Sequence, residues 1–363
     1  MKKGESMLDD VRILDLSRLL PGPAATWMLA AHGAKVDRVE SPKGDLTRHL
    51  PPFVNGVGAY FHSVSHGKRS LCIDFRHPNF LPCMKSLIRG YDVLIEGFRP
   101  GVLEKMGLEP DLLQRENPRL IIVRLSGYGQ QGVFRDKVGH DINYIAQVGI
   151  LAGHRIGDDG HALSSVQIAD MASSLQASFQ VAMALYARER TGLGRILDIS
   201  LTESALAMYI PMLAGLFAEG RDALEGRELL SGGVSFYGTY RCKDGKYVAV
   251  GAVEAKFQAK LRESVGELSR ESLSSLFIQQ PRDYWVDYFH DACVSSVLQA
   301  TELEESNWLK GQNLYSNGEF RAPGGRYLGA VPQKGEHNSD ILLEAGISQE
   351  QISQWEESGL LCS

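Results

Sequence analysis

Five short apolar runs rich in β-branched residues recur through the first third of the chain, and most are separated by enough residues for a helix. This alternation predicts βαβ units on a parallel sheet, because parallel strands need a crossover connection that is usually helical. The clearest crossover helix is predicted over residues 24–31, after Pro21-Gly22-Pro23 and before Gly33. The sequence therefore predicts an α/β fold. The five predicted strands cover residues 11–16, 35–40, 70–75, 92–96 and 120–125.

The rest of the chain predicts two long helices followed by a smaller unit. Apolar residues at helical spacing predict a helix that begins at Asp170, within two residues, and a second helix over residues 202–219 follows a strand over 196–201. A polar, glycine-rich stretch over 220–233 is typical of a linker, and the Asp244-Gly245 turn predicts a hairpin after it. Because 363 residues exceed the usual size of one hydrophobic core, we expect more than one domain. The expected division is a large domain over 1–220, a small domain over 221–320, and a segment over 321–363 that returns to the large domain.

Composition and charge narrow the expected partners. A formal net charge of −6 gives no general attraction to nucleic acid or to acidic membranes. No apolar run is long enough to span a bilayer, and acidic residues follow the first lysines where a signal peptide would be apolar. The five cysteines are widely spaced and lack a C-x-x-C pair, which argues against a disulfide framework and a zinc site. We therefore expect a cytoplasmic protein without a metal, a nucleic-acid partner or a membrane.

Residues 127–132 match the G-x-G-x-x-G fingerprint of dinucleotide-binding folds. However, they follow the fifth predicted strand, whereas the fingerprint belongs to the first βα unit and needs a helix that begins within the glycines. Residues 133–139 have no helical pattern. A glycine-rich loop is therefore the preferred interpretation, and NAD binding is the weaker one.

Three ionisable residues together suggest proton transfer. His140 lies just before a helical pattern, Asp170 follows 30 residues later, and Glu254 ends another apolar run. Each also has a structural interpretation: a histidine at a helix start, an N-cap carboxylate worth about 1 kcal/mol, and a carboxylate near a helix N-terminus. Taken singly, none of the three identifies a function.

Proton transfer next to a carbonyl group would explain these residues jointly. Removing a proton from one face of a carbon and returning it to the other face takes two acid/base groups, one protonated and one not. His140 and Asp170 suit these roles if they are close in space and if burial raises the carboxyl pKa towards neutrality. Backbone N–H groups at the helix start after Gly139 would then stabilise the enolate oxygen.

Basic residues near the predicted strands suggest a site for an anionic carrier. Ligands of open α/β sheets bind beyond the carboxyl ends of the strands, where Arg76 and Arg99 are expected. Lys68 and Arg69 lie in a loop that leads to a strand. For any one of these residues, a solvated surface charge is the alternative interpretation.

Several motifs, spread over nearly the whole chain, resemble those of the class III CoA-transferase superfamily and occur in the same order as there. The motifs are Pro21-Gly22-Pro23, residues 67–71 with Asp74, residues 92–102, 116–121 and 125–129, residues 191–195, and residues 335–338. The resemblance implies a Rossmann-like large domain, a smaller α+β domain, and a homodimer in which two chains interlock as rings.

Within the superfamily, Gly-His-Asp-Ile-Asn-Tyr at residues 139–144 resembles the α-methylacyl-CoA racemase branch, as do residues 232–241 and 250–254. The resemblance implies His140 and Asp170 as the proton-transfer groups and Glu254 as the residue that orients His140. It implies no cofactor besides the coenzyme A of the substrate. The residues expected to contact the CoA thioester are Arg38, Ile73, Asp74, Phe75, Arg76, Arg99, Gly139, Asp141, Asn143 and Tyr144.

Two departures from the racemase pattern bear on the substrate. Met171-Ala172-Ser173-Ser174 stands where these racemases carry glycines, and the added bulk predicts a narrower space around Asp170. Ser41 replaces an arginine that contacts CoA in many relatives, so Lys43 or Arg38 is expected to compensate.

Three functions are consistent with this pattern. A racemase of 2-methylacyl-CoA thioesters is the leading hypothesis. The transferases of the superfamily instead use an aspartate at the position of Asp170 as a nucleophile, which forms an acyl anhydride and then a CoA thioester, and they lack the histidine. Leu20 stands where formyl-CoA transferases carry a glutamine, which favours the racemase. A non-catalytic acyl-CoA-binding protein is the third possibility.

Overall fold

The computed structural model describes residues 6–156, 160–222, 228–316 and 318–362 of the chain. The chain divides into two compact units. The larger unit comprises Met1–Val148, Ser164–Ile210 and Asn313–Ser363, and the smaller unit comprises Gly149–Leu163 and Pro211–Gln312.

Six parallel strands form the sheet of the larger unit. They are β1 (Arg12–Leu16), β2 (Lys35–Glu40), β3 (Arg69–Cys72), β4 (Val93–Glu96), β5 (Ile121–Ser126) and β6 (Ile196–Ser200). Their order in the sheet is β6-β5-β4-β1-β2-β3. The order reverses between β1 and β4, so a ligand crevice is expected beyond the carboxyl ends of these two strands. The prediction of an α/β fold with a parallel sheet is confirmed.

Helices connect and cover the strands. In the described part of the chain they are α1 (Pro21–Ala31), α2 (Ala59–Ser65), α3 (Phe80–Ile88), α4 (Val102–Lys105), α5 (Pro110–Glu116), α6 (Asp141–Gln147), α7 (Ile168–Thr191), α8 (Leu201–Glu219), α9 (Ala255–Val265), α10 (Arg270–Phe277), α11 (Arg282–Tyr288), α12 (Ala300–Glu305), α13 (Asn307–Gln312), α14 (Asn338–Glu344) and α15 (Gln349–Glu357). Short 3-10 turns occur at Leu46–His49, Leu151–His154 and Leu229–Ser231.

The central strands are buried on both faces. Helices α1 and α7 pack on each other, α1 against β1 and β2, and α7 against β5 and β6. A separate apolar cluster joins strand residues such as Leu14 and Leu94 to α3, α5, α14 and α15. Strands covered in this way need apolar residues at successive positions, which explains the continuous apolar runs in the sequence.

The smaller unit contains an antiparallel sheet of three strands, β7 (Tyr237–Arg241), β8 (Tyr247–Gly251) and β9 (Val294–Val297), in that order. Strands β7 and β8 form the predicted hairpin, with Gly245 at a positive φ of 80° in its turn. Phe277, Trp285 and Phe289 pack in its core. Two-residue ladders elsewhere join Phe53–Val54 to Val57–Gly58, Arg155–Ile156 to Gly160–His161, and Tyr315–Ser316 to Glu319–Phe320.

The division between the units lies inside helix α8, after Ile210, whereas the sequence predicts a domain boundary after residue 220. The helix continues through Pro211, so no change in composition marks the division. Residues 223–227 of the predicted linker lie outside the described residues. By length and composition alone α8 would suffice to cross a bilayer, which differs from the expectation from the sequence, and 22% of its apolar window is buried within the chain.

Replacing Gly194 by Ala is expected to destabilise the larger unit by about 2 kcal/mol or more, because the added Cβ would lie 2.0 Å from the Leu120 backbone oxygen. Gly311→Ala is the control, since a Cβ there meets open space within α13 and replacing a helical glycine stabilises by about 0.5–1 kcal/mol. Urea unfolding followed by circular dichroism measures both. Equal stability of the Gly194→Ala variant and the unmutated chain would contradict the close contact between Gly194 and the Leu120 backbone oxygen.

Candidate active site

A cavity of about 700 Å³ lies beyond the carboxyl ends of β1 and β4. Residues 17–19 after β1 and residues 97–99 after β4 form part of its wall, together with the starts of α6 and α7. The cavity therefore lies where the strand order reverses, which is the usual ligand site of such sheets. Its volume is typical of a small-molecule site.

His140 and Asp170 both line this cavity. His140 is the N-cap residue of α6, with extended backbone (φ −123°, ψ 177°), and its side chain is exposed. Its backbone N–H donates to Asn143 Oδ1 at 3.0 Å. Asp170 lies in the first turn of α7, whose N-cap residue is Gln167. The interpretation of Asp170 as an N-cap is therefore wrong.

Asp141 joins the starts of the two helices. Its Oδ1 accepts the backbone N–H of Ala169 at 2.6 Å and of Asp170 at 3.1 Å. First-turn amides of a helix lack partners within the helix and favour a carboxylate. Gln167 makes no side-chain cap hydrogen bond, so Asp141 supplies the cap of α7. The Asp170 carboxyl group is consequently not used for capping and lines the cavity.

Burial raises the pKa of Asp170 from 3.8 to about 7, and the negative charge of Asp141 contributes to the rise. Burial acts because a charged carboxylate is less stable away from water, and Asp141 acts by repulsion between like charges. Near neutral pH, Asp170 is therefore present both as an acid and as a base. This is the condition that proton transfer requires of the carboxyl group.

Tyr144 fixes α6 against the glycine loop that follows β5. A Cβ on Gly127 would lie 2.5 Å from Tyr144 Cε1, and one on Gly139 would lie 2.9 Å from the same atom. Only glycine lets the ring approach so closely, and the Tyr144 hydroxyl donates to the Gly139 carbonyl oxygen at 2.6 Å. No helix begins within residues 127–132, since α6 starts at Asp141. This supports the loop interpretation over NAD binding.

The backbone amides at the start of α6 differ in their availability. The N–H groups of Asn143 and Tyr144 donate to the His140 carbonyl oxygen, at 2.8 and 3.3 Å. Within the described residues, the N–H groups of Asp141 and Ile142 have no acceptor. Neither Asp141 nor Ile142 lines the cavity, so the stabilisation of an enolate oxygen by these amides stays a prediction.

Five cations line the cavity and make it suitable for an anionic ligand: Arg18, Arg99, Lys105, Arg135 and Lys137. Only Arg99 is predicted from the sequence. Arg18 lies two residues after the end of β1, so the rule that identifies Arg99 also applies to it. Lys105, Arg135 and Lys137 carry no comparable signal, because they lie in α4 and in the loop before α6.

Lys68 and Arg69 serve the fold instead of the cavity. The buried Lys68 Nζ donates to the Pro23 carbonyl oxygen at 2.8 Å and to Thr26 Oγ1 at 2.7 Å, and burial lowers its pKa to about 7. Arg69 is paired with Asp37 and Glu344. The expectation that Lys68 and Arg69 bind an anionic carrier is wrong, because both side chains are engaged within the protein.

A second cavity of about 720 Å³ shares residues 17–19 with the first. Arg38 lines it, but its guanidinium is buried and paired with Asp45. Lys43 also lines it, is exposed, and lies near Ser41. Of the two residues expected to compensate at Ser41, Lys43 is the exposed one, and its contact with CoA stays a prediction.

The other predicted contact residues have different surroundings. Ile73 is fully buried, Asp74 accepts the Arg76 backbone N–H, Phe75 lines the second cavity, and Arg76 is exposed. Glu254 lies in the smaller unit as the N-cap residue of α9, with an exposed side chain. Their contacts with a CoA thioester, and the orientation of His140 by Glu254, stay predictions.

The four residues after Asp170, Met171-Ala172-Ser173-Ser174, do not line the cavity. Ser173 Oγ lies 2.8 Å from the Asp170 carbonyl oxygen, and Ser174 Oγ lies 2.7 Å from the Pro21 carbonyl oxygen of α1. Neither serine lines the cavity, and neither do Met171 and Ala172. The expected narrowing around Asp170 is not observed, because the two hydroxyl groups bond to backbone carbonyls of α7 and α1.

The chain is similar to several known proteins. A family model described as CoA-transferase family III matches residues 8–335. Alpha-methylacyl-CoA racemase of Homo sapiens is 34% identical over 380 residues, which cover 96% of this chain and 95% of the relative. Succinyl-CoA–D-citramalate CoA-transferase of Chloroflexus aurantiacus is 30% identical over 88% of this chain and 78% of the relative. The crystal structure of a CAIB/BAIF family protein from Brucella suis superposes with a TM-score of 0.85 at 25% identity, covering 94% of this chain and 99% of that one.

Asp141→Asn is expected to lower the pKa of Asp170 from about 7, because the amide keeps an oxygen acceptor but removes the neighbouring negative charge. Burial should keep the pKa above the ordinary value of 3.8. Carboxyl ¹³C NMR titration of aspartate-labelled protein measures the shift. Asp136→Asn is the control, since it removes another carboxylate from the cavity wall and should leave the Asp170 pKa unchanged. The same pKa in the Asp141→Asn and unmutated proteins would show that Asp141 does not tune Asp170.

Proposed function

Because the chain belongs to CoA-transferase family III, we propose that it racemises 2-methylacyl-CoA thioesters by moving a proton between the two faces of the α-carbon. The observation that carries this proposal is the cavity that His140 and Asp170 both line, in which the pKa of Asp170 is about 7. The similarity to an alpha-methylacyl-CoA racemase over 96% of the chain supports it.

In the proposed reaction, one group removes the α-proton and the other delivers a proton to the opposite face. With Asp170 as the base, its carboxylate takes the proton, the thioester becomes an enolate, and protonated His140 reprotonates the carbon. The opposite epimer uses the two residues in exchanged roles. A carboxyl group with a pKa near neutrality can serve in both directions, because neither protonation state is strongly disfavoured.

We propose that the cationic residues of the cavity hold the anionic groups of the substrate. Arg18, Arg99 and Lys105 have no carboxylate partner among the described residues, so their charges are available to phosphates. Lys43 would add a cation at the second cavity. The mechanism needs no cofactor besides the coenzyme A carried by the substrate, since the proposed steps are proton transfers between protein side chains and the α-carbon.

A CoA-transferase with Asp170 as nucleophile is the second candidate, supported by the similarity to a CoA-transferase over 88% of the chain. A carboxylate nucleophile must be ionised to attack. With a pKa of about 7, a large share of Asp170 is protonated at neutral pH. The transferase mechanism also gives no role to His140, which lines the same cavity. These two observations favour the racemase. The non-catalytic alternative loses its main support, because the residues after Asp170 do not line the cavity.

We further propose the finer architecture of the family, a Rossmann-like larger unit in an interlocked homodimer. The reversal of strand order between β1 and β4 supports the first part. An exposed apolar stripe along α7 supports the second. Its residues are Leu175, Phe179, Met183 and Tyr186, which are 51%, 59%, 52% and 70% exposed. Apolar stripes of this kind usually mark an interface.

The two-base mechanism predicts that His140→Ala and Asp170→Asn each abolish racemisation. Each variant should also lose α-proton exchange for one epimer by about 10²–10⁴-fold, and the affected epimer should differ between the two variants. Exchange is measured by incubating each 2-methylacyl-CoA epimer in deuterated water and recording α-deuteration by NMR. The rate for the epimer that Asp170 deprotonates should rise as the pH increases through about 7, because the carboxylate is the base.

His290→Ala, at an exposed histidine of the smaller unit, is the matched control and should retain full exchange. A transferase would give the contrary result. Hydroxylamine would then trap an acyl group on Asp170 in the presence of acyl-CoA, and no α-deuteration would occur.

The dimer proposal predicts a mass of two chains by light scattering for the purified protein. Phe179→Glu should lower the dimer fraction, because it places a charge in the apolar stripe of α7. Leu343→Glu changes an exposed leucine of α14, outside the stripe, and should leave the dimer intact. A monomeric unmutated protein would refute the homodimer.

A further inference from the structure

Two cysteines that are distant in the sequence face each other at the sheet edge formed by β3. Ile73 and Leu361 form an isolated antiparallel bridge. The Cys362 N–H donates to the Cys72 carbonyl oxygen at 3.2 Å, on one side of this bridge. Cys72 and Cys362 are therefore directly opposite residues. Such residues have Cα atoms about 5.5 Å apart in antiparallel pairs, a separation that a disulfide spans.

The side chains of the two cysteines are also neighbours. Burial raises the pKa of the Cys72 thiol to about 12, and the adjacent Cys362 thiol contributes through its charge and a hydrogen bond. The Cys72 thiol lies 3.5 Å from the Ser41 carbonyl oxygen. Cys72 is fully buried, whereas Cys362 is partly accessible to solvent.

The surrounding contacts hold the facing segments in place. Asn338 Oδ1 accepts the Cys72 N–H at 2.8 Å, and Asn338 Nδ2 donates to the Cys362 carbonyl oxygen at 2.9 Å. One side chain therefore bonds to both cysteine backbones. Leu360 and Leu361 belong to the same apolar cluster as the sheet. The approach of the two thiols is thus built into the packing of the larger unit.

We propose that Cys72 and Cys362 form a reversible disulfide that tethers residues 360–362 to the edge strand β3, with a small-molecule disulfide such as glutathione disulfide as the oxidant. Of the two thiols, that of Cys362 is accessible to solvent and reacts first. The Cys362 thiolate attacks one sulfur of the oxidant, forms a mixed disulfide and releases one glutathione thiolate.

Cys72 then completes the exchange. It loses its proton to solvent, and its thiolate attacks the Cys362 sulfur, which forms the internal disulfide and releases the second glutathione. The net change is the oxidation of two cysteine thiols and the reduction of one glutathione disulfide to two thiols. The second step should be slow near neutral pH and accelerate as the pH rises, because Cys72 must ionise.

Oxidation also removes the donor from the contact between Cys72 and the Ser41 carbonyl oxygen. Ser41 lines the second cavity. Formation of the disulfide would therefore remove a hydrogen bond to a residue in the wall of that cavity.

The test is incubation of the folded protein with glutathione disulfide, an acid quench, and mass spectrometry of the intact chain and of its peptides. The expected product is lighter by two hydrogen atoms and yields a peptide in which Cys72 and Cys362 are joined. The mixed disulfide should convert to this product faster at higher pH. The oxidised protein should also melt at a higher temperature, and dithiothreitol should reverse that gain, because the cross-link restricts the unfolded chain.

Cys72→Ser and Cys362→Ser should each abolish the cross-link, and Cys362→Ser should also prevent the mixed disulfide at this edge. Cys293→Ser is the matched control, since it removes an exposed thiol and should leave the cross-link unchanged. Two results would overturn the proposal. One is a mixed disulfide at Cys362 that persists at high pH, and the other is glutathione on Cys293 while Cys72 and Cys362 stay reduced.

Discussion

The Asp141 carboxylate is the contact on which the arrangement of the cavity depends. By accepting two backbone N–H groups of α7, it positions the start of this helix beside the start of α6. It also contributes to the raised pKa of Asp170 through its charge. Repulsion from a neighbouring carboxylate would ordinarily be unfavourable, but the two amides stabilise the Asp141 charge. One residue thus positions the starts of both helices and adds to the raised pKa of Asp170, for which burial is the larger cause.

The basic residues of the larger unit separate by burial into two groups with different tasks. Lys68, Arg69 and Arg38 are engaged in hydrogen bonds and ion pairs within the fold. Arg18 and Arg99, in contrast, lie at the ends of strands and face the cavity. The first group holds strands and helices of the larger unit together, and the exposed group gives the cavity its positive charge. Charge alone does not separate these roles, because residues of both groups are adjacent to strands.

The sequence predicts the strands well, because burial on both faces produces apolar runs. It predicts the start of α1 at residue 24, whereas the helix begins at Pro21, because Pro21-Gly22-Pro23 forms its first turn. It also identifies His140 at a helix N-terminus. The cap that Asp141 gives to α7 spans 28 residues and has no local pattern. The internal pairing of Arg69 with Glu344 is likewise a long-range contact, across 275 residues. Long-range polar contacts of this kind are therefore what the sequence leaves undetermined.

The first turns of α7 carry Met171-Ala172-Ser173-Ser174 and contain no glycine. Glycine loses more backbone entropy on folding than any other residue. The present sequence therefore gives up less entropy when this helix start is ordered, and Ser174 also links it to α1. The consequence is preorganisation: Asp170 is held on a stiff turn before any ligand arrives, so less of the binding free energy is needed to order it.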